Sequence, residues 1–224
     1  LDYLLSASLK FSIGLRWEDW EADYSDSLQE SFNPTDKMSG GKISLIKNMT
    51  NDTNMYASLA RGYKQGGFNL GLGLDANSRN KNLAYDPEFL TNYELGINTK
   101  LLDSRVTFNG VLFYSDREDQ QVLISTQTDP SDPNTFSFLT QNAAEGVNHG
   151  LEINMDMGIN QSLSAFVNLG ILKTEIKNWQ SRQDLEGRAQ AHAPERSYAL
   201  GLNWAPTSHT YLAIDFTGKS SFYY

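Results

Sequence analysis

The sequence predicts an all-β chain, an antiparallel up-and-down transmembrane β-barrel of which about nine strands are present. Two observations carry this expectation. Apolar and polar residues alternate strictly over many segments, and the connections between those segments alternate between short and long. Composition supports it: apolar residues make up 39%, and 17 Gly stand beside 6 Pro, a mixture suited to sheet and turns. No stretch approaches the ~20 consecutive apolar residues of a spanning helix, but a barrel strand needs apolar residues only at every second position.

Successive strand side chains point to opposite faces, so alternation predicts two-faced strands. Leu9, Phe11, Ile13, Leu15 and Trp17 alternate with Lys10, Ser12, Gly14 and Arg16. Ile43, Leu45 and Met49 give a weaker example, followed by the segment Met55 to Tyr63. Next come Tyr93, Leu95, Ile97 and Leu101, then Val106, Phe108, Leu112 and Tyr114. Val147, His149, Leu151, Ile153, Met155 and Met157 alternate with Asn148, Gly150, Glu152, Asn154 and Asp156. Leu163 to Ile171, Tyr198 to Trp204 and Leu212 to Phe216 repeat the pattern. Many of these segments approach the ~9 to 11 residues that cross a bilayer.

Short turns are expected at Asn51 to Thr53, Leu102 to Ser104, Ile159 to Gln161 and Ala205 to Ser208. Long loops are expected at Glu21 to Gly41, Lys64 to Glu88, Arg117 to Gln141 and Glu175 to Glu195, and the Ser181 to Ala191 stretch has room for one helix. Antiparallel neighbours joined in sequence put every second connection at the same end. One end of the sheet therefore has tight turns and the other large loops, the asymmetry of outer-membrane barrels. The aliphatic positions and Phe then face lipid, Trp17 and Trp204 lie at opposite interfaces, and Arg16, Glu94, Lys100, Glu152, Asp156 and Asp215 face a wet lumen.

Charge and chemistry exclude several classes. Acidic residues outnumber basic ones by 27 to 18 with no basic cluster, which argues against a nucleic-acid partner. No cysteine is present, so disulfide frameworks, thiolate metal sites and Cys nucleophiles are absent. His149, His192 and His209 are dispersed, and no zinc-binding, P-loop, dinucleotide-binding or nucleophile-elbow pattern occurs. Asp129 to Asn134 offers oxygen ligands for calcium, but the same residues build a plain turn. Glu94 and Glu152 could be drawn as a glycosidase pair, yet they read better as lumen lining. No enzymatic activity, metal or cofactor is expected.

Four segments resemble the C-terminal barrel portion of TonB-dependent outer-membrane receptors. The first is Tyr56-Ala57-Ser58-Leu59-Ala60-Arg61-Gly62-Tyr63-Lys64-Gln65-Gly66-Gly67-Phe68-Asn69. The second is Tyr85-Asp86-Pro87-Glu88 with Asn92-Tyr93-Glu94-Leu95-Gly96. Gln141-Asn142-Ala143-Ala144 with Gly150-Leu151-Glu152 follows, and then Gly187-Arg188 with Ala193-Pro194-Glu195. The resemblance covers most of the chain from Tyr56 to Trp204, and residues 1–224 are read as one stretch of barrel wall, with the plug and the terminal strands of a 22-stranded barrel expected outside it. It implies import of a scarce nutrient (an iron chelate, haem, cobalamin or saccharide) across the outer membrane of a Gram-negative bacterium. The implied partners are outer-membrane lipid, a TonB-type energy-coupling protein acting through the plug, and the small-molecule ligand. A passive porin-like channel and a soluble carbohydrate-binding β-sandwich stay open at this stage. A plug with a TonB-contacting segment separates the first, and solubility without detergent the second.

Loop charge gives the one hint about ligand contact. Glu21 to Gly41 holds five acids against one lysine, and Arg117 to Gln141 four acids against one arginine, so anionic ligands are repelled there. Lys64 to Glu88 balances three acids with three bases. The candidate ligand-binding residues are therefore Arg61, Tyr63, Lys64, Phe68 and Tyr85. Each could instead serve only to order its loop.

Overall fold

The computed structural model describes residues 1–25, 27, 31–69, 83–127, 131–132, 134–179 and 182–224. Ten strands form one antiparallel sheet in strict sequence order: β1 (Asp2–Ser6), β2 (Leu9–Glu21), β3 (Thr35–Asn48), β4 (Thr53–Lys64), β5 (Glu88–Leu101), β6 (Val106–Gln127), β7 (Phe136–Asn160), β8 (Leu163–Asn178), β9 (Arg196–Thr207) and β10 (Thr210–Lys219). This is the up-and-down order expected, with one strand more than the alternation indicated. The extra strand is β1, whose five residues are too short to register as a period. Short and long connections alternate without exception along the sheet. The room for a helix between β8 and β9 is used by one 3₁₀ turn, Gln183–Leu185.

Two expected loops are largely strand. The Arg117 to Gln141 segment continues β6 and β7 as a protruding hairpin, paired from Gln121↔Asn142 to Gln127↔Phe136. Val122, Leu123, Ile124, Phe136, Phe138 and Leu139 give this extension apolar side chains on both faces, which acidic and turn-forming neighbours hide in a charge count. The hairpin leaves the wall through register shifts at Arg117 to Gln121, where Asp119 takes a left-handed φ of 53°. Such bulges re-aim a strand at the rim of a barrel. In the same way β3 already begins at Thr35, inside the expected Glu21 to Gly41 loop.

The two faces of the sheet differ as the alternation predicts. On one face, the directly paired row Phe11, Leu45, Ala57, Leu95, Leu112, Leu151 and Ile171 crosses seven strands without a polar side chain and ends at Arg196 on β9. The next row toward the long loops runs Ile13, Ile43, Leu59, Tyr93, Tyr114, His149 and Lys173. This face is open: Leu112 is 53% exposed, Ile171 55% and Leu202 39%. An exposed apolar surface of that extent does not belong to a water-soluble sandwich, whose inner rows would be covered.

The opposite face is polar and better covered, with Ser58 and Thr174 buried. Glu94 and Glu152 lie on it, and one cross-strand row there reads Lys100, Thr107, Asp156, Phe166, Gly201 and Asp215. The adjacent row is Asn48, Asn54, Asn98, Asn109, Asn154 and Asn168, six carboxamides in direct register across β3 to β8. The Asn98 amide donates to Asn54 Oδ1 at 3.0 Å.

Glycine and aromatic residues face each other across neighbouring strands at Tyr56↔Gly96, Phe113↔Gly150, Phe166↔Gly201 and Tyr198↔Gly218. In each pair the ring lies over the place a glycine Cβ would take. The glycine makes room for a large ring, and the ring restores the packing that the glycine lacks. The wall thereby carries large rings without pushing strands apart, Tyr56, Phe113 and Phe166 on the polar face and Tyr198 on the apolar one.

Candidate functional site

The candidate site lies at the long-loop end. Trp20, near the end of β2, has the opposite parity to Trp17 and points with the polar face. Its ring lies 5.9 Å from that of Phe68, which in turn lies 5.4 Å from Tyr24. Phe68 belongs to a two-strand ribbon, Gly67–Phe68 with Ala84–Tyr85, paired Gly67↔Tyr85 and Phe68↔Ala84. Rings gathered in this way offer flat apolar faces to a ligand.

The five residues singled out from sequence fall into two groups. Phe68 and Tyr85 share the ribbon beside Trp20 and Tyr24. Tyr63 stands in the wall, where its hydroxyl donates to Glu18 Oε2 at 2.8 Å and the Arg16 guanidinium sits 5.4 Å over its ring. Arg61 stacks 4.5 Å over Phe89, and Lys64 is exposed opposite Glu88 at the end of β4. Trp20 and Tyr24 went unnoticed in the sequence. The one signal was Trp20 falling out of phase with the Leu9-to-Trp17 series.

A lattice of side-chain-to-backbone hydrogen bonds holds the ribbon. Asn69 donates to the Thr140 carbonyl at 2.7 Å and accepts from the Thr140 amide at 2.8 Å. Asn142 accepts from the Asp86 amide at 2.6 Å and donates to the carbonyls of Asp86 and Asp119, both at 2.8 Å. Gln121 donates to the carbonyls of Gln65 and Asp86 at 2.8 and 3.0 Å, and its own amide donates to Glu88 Oε2 at 3.0 Å. Glu88 also pairs with Arg117 at 3.2 Å, a charge contact outside hydrogen-bond alignment at Arg117 Nε. The β4–β5 loop is thereby tied to the β6–β7 hairpin by residues up to 71 positions apart.

At the base of this junction, desolvation, and then the neighbouring Asp86 carboxylate, push the Asp36 carboxyl above the ordinary range. Its protonated form is the one that suits the folded junction. That contribution is present below the unfolded value and is lost as pH rises through the raised folded one. Acidification through the carboxylate range is therefore expected to raise the protection of the amides of residues 83–88 beyond the intrinsic slowing of exchange. Asp36→Asn should make that protection independent of pH, and an unchanged pH dependence of protection in that variant would contradict the assignment.

Among the described residues no cluster of three metal-ligating side chains occurs. His149 stacks on Tyr114, His192 packs on Phe222 and Tyr224, and His209 meets Ser208 in the β9–β10 turn. In the expected turn at Asp129 to Asn134, residues 129, 130 and 133 lie outside the described set. Asp132 there accepts from the Asn134 amide at 2.9 Å and, through its carbonyl, from the Thr135 hydroxyl at 2.8 Å. Glu94 accepts from Asn92 at 2.7 Å, and its cross-strand partner on β6 is Phe113, which pairs with Gly150 on β7.

A single up-and-down sheet with one open apolar face, one polar face and its long connections at one end is the wall of a transmembrane β-barrel. The family model "TonB dependent receptor-like, beta-barrel" matches residues 1–224. The chain belongs to the TonB-dependent receptor family, as its barrel portion. Among solved structures it is similar to the ferric yersiniabactin uptake receptor FyuA from Yersinia pestis, at 19% identity and TM-score 0.71, covering 96% of this chain and 32% of that one. It is similar to the siderophore receptor PiuA from Acinetobacter baumannii at 16% identity and TM-score 0.73, covering 97% and 32%. The copper transporter OprC matches at 13% identity and TM-score 0.69, covering 91% and 32%. The chain thus spans about a third of the length of these proteins.

Proposed function

We propose that these residues are barrel wall and outer loops of a receptor that imports a scarce nutrient through the outer membrane, with an iron chelate as the leading ligand class. The observation that carries this reading is the Trp20–Phe68–Tyr24 cluster, tied to the wall at the long-loop end. Aromatic faces suit a chelate that presents flat apolar surface. The acidic loops on either side disfavour one of high negative charge. FyuA and PiuA are receptors for ferric yersiniabactin and for a siderophore, which supports the ligand class. Energy reaches such a receptor from a TonB-type protein acting on the plug, and lipid covers the apolar face.

In this reading Phe68 and Tyr85 contact ligand together with Trp20 and Tyr24. Tyr63, Arg61 and Lys64 shape the rim beneath them. Uptake of labelled ferric chelates by cells carrying the full-length receptor tests it. Phe68→Ala and Trp20→Ala should each reduce uptake at low ligand concentration by about tenfold, the order of losing one well-packed aromatic contact. Uptake at the wild-type rate in both variants would remove the cluster from ligand binding.

A further inference from the structure

The apolar face carries a second kind of information, because its rows change chemistry along their length. Strands of such barrels tilt by about 40° and lie about 4.8 Å apart, so a row crossing them climbs about 3 Å per strand relative to the membrane. Over the six steps from β2 to β8 that is roughly 18 Å, most of the ~25 Å apolar band. The row beginning at Ile13 follows this climb. It is aliphatic on β2 to β4, becomes Tyr93 and Tyr114 on β5 and β6, and ends at His149 and Lys173 on β7 and β8. The row below stays apolar two strands longer, through Ile171 on β8, and then reaches Arg196 on β9. The Tyr93 and Tyr114 rings lie 6.2 Å apart, and His149 stacks on Tyr114 at 6.3 Å.

Three side chains able to carry positive charge thus step along the upper border of the apolar belt on β7, β8 and β9, in a chain of net charge −9. Among the described residues neither Lys173 nor Arg196 is held in an ion pair. Of the acids nearby on this face, Glu175 pairs with Lys177 at 2.8 Å and also lies within electrostatic reach of Lys173 and His149, and it shares with Asp116 the row through Val147, one step further from the belt. We propose that His149, Lys173 and Arg196 bind the phosphate of an outer-leaflet lipid, with Leu151 and Ile171 beneath them receiving its acyl chain. Lipid is the occupant because the basic groups are continuous with the acyl-level row, and an aromatic girdle residue flanks them as at other membrane interfaces. The inference rests on the receptor reading, in which the apolar face lies in the membrane.

Native mass spectrometry of the full-length receptor tests this, using phosphatidic acid and diacylglycerol of identical chains as probes. Wild type should retain phosphatidic acid about tenfold better, and Lys173→Ser with Arg196→Ser should abolish the preference, as expected for loss of charge-assisted bonds. Lys42→Ser on the polar face should leave the preference intact, and so should Lys173→Arg with Arg196→Lys, which guards against misfolding. Equal retention of the two lipids by wild type overturns the proposal. So does an undiminished preference in the double serine variant, or displacement of the lipid by millimolar inorganic phosphate. Failure of the wild-type receptor to fractionate with the outer membrane would instead overturn the receptor reading.

Discussion

Gly150→Val is expected to destabilise the wall by about 2–3 kcal/mol, within the usual cost of overpacking a filled site. Gly150 pairs with Phe113 on β6, and a Cβ built on it would lie 2.9 Å from Phe113 Cζ. It would also fall inside contact distance of the Ile171 carbonyl oxygen on β8. A ring can turn aside, but a carbonyl paired in the sheet cannot move without disturbing its neighbours. Gly158, on the same strand, is the control, since the nearest atom to its built Cβ is the Arg105 carbonyl oxygen at 3.7 Å. Urea unfolding of the full-length receptor should show a lowered midpoint for Gly150→Val and little change for Gly158→Ala. Equal midpoints would mean that the glycine–aromatic pairing does not shape the wall.

Asn142→Ala should uncouple the two long-loop segments that meet beside the aromatic cluster. Its carboxamide makes three hydrogen bonds, two to Asp86 and one to Asp119 at the bulge. Losing them leaves backbone groups unpaired at about 1–3 kcal/mol each, tempered where water enters. Amide exchange across residues 84–88 should then accelerate by roughly 10- to 100-fold, with β7 unaffected beyond Val147. Asn142→Asp is the sharper variant, because it keeps an acceptor, loses both donors and adds charge beside Asp86. Exchange unchanged in both would show that Gln121 and Asn69 hold the junction unaided.

Much of the wall could be read in advance because its instructions are local. Val147 to Met157 alternates for eleven residues, which leaves one choice of faces for β7 and, through pairing, for β6 and β8. The long-loop end could not be read this way. The bulge at Asp119 has no glycine to announce it, and the hairpin beyond it looked like an acidic loop. Trp20 belongs to the candidate site through a one-residue change of phase. Asn69 and Asn142 act on backbone 71 and 56 residues away, so nothing in their neighbourhood marks them. Of the candidates named from sequence, Phe68 and Tyr85 share a ribbon because they flank one loop. Arg61 and Tyr63 stay with the strand whose motif suggested them.

The asparagine row on β3 to β8 places an electrically neutral stripe between lysine- and carboxylate-bearing stripes. Carboxamides can trade partners with solvent at almost no net energy, since each offers both donors and acceptors. Friction between this stripe and any body resting on it is therefore low. Motion along it requires no ion pair to be pulled apart, and adhesion there should be nearly indifferent to ionic strength.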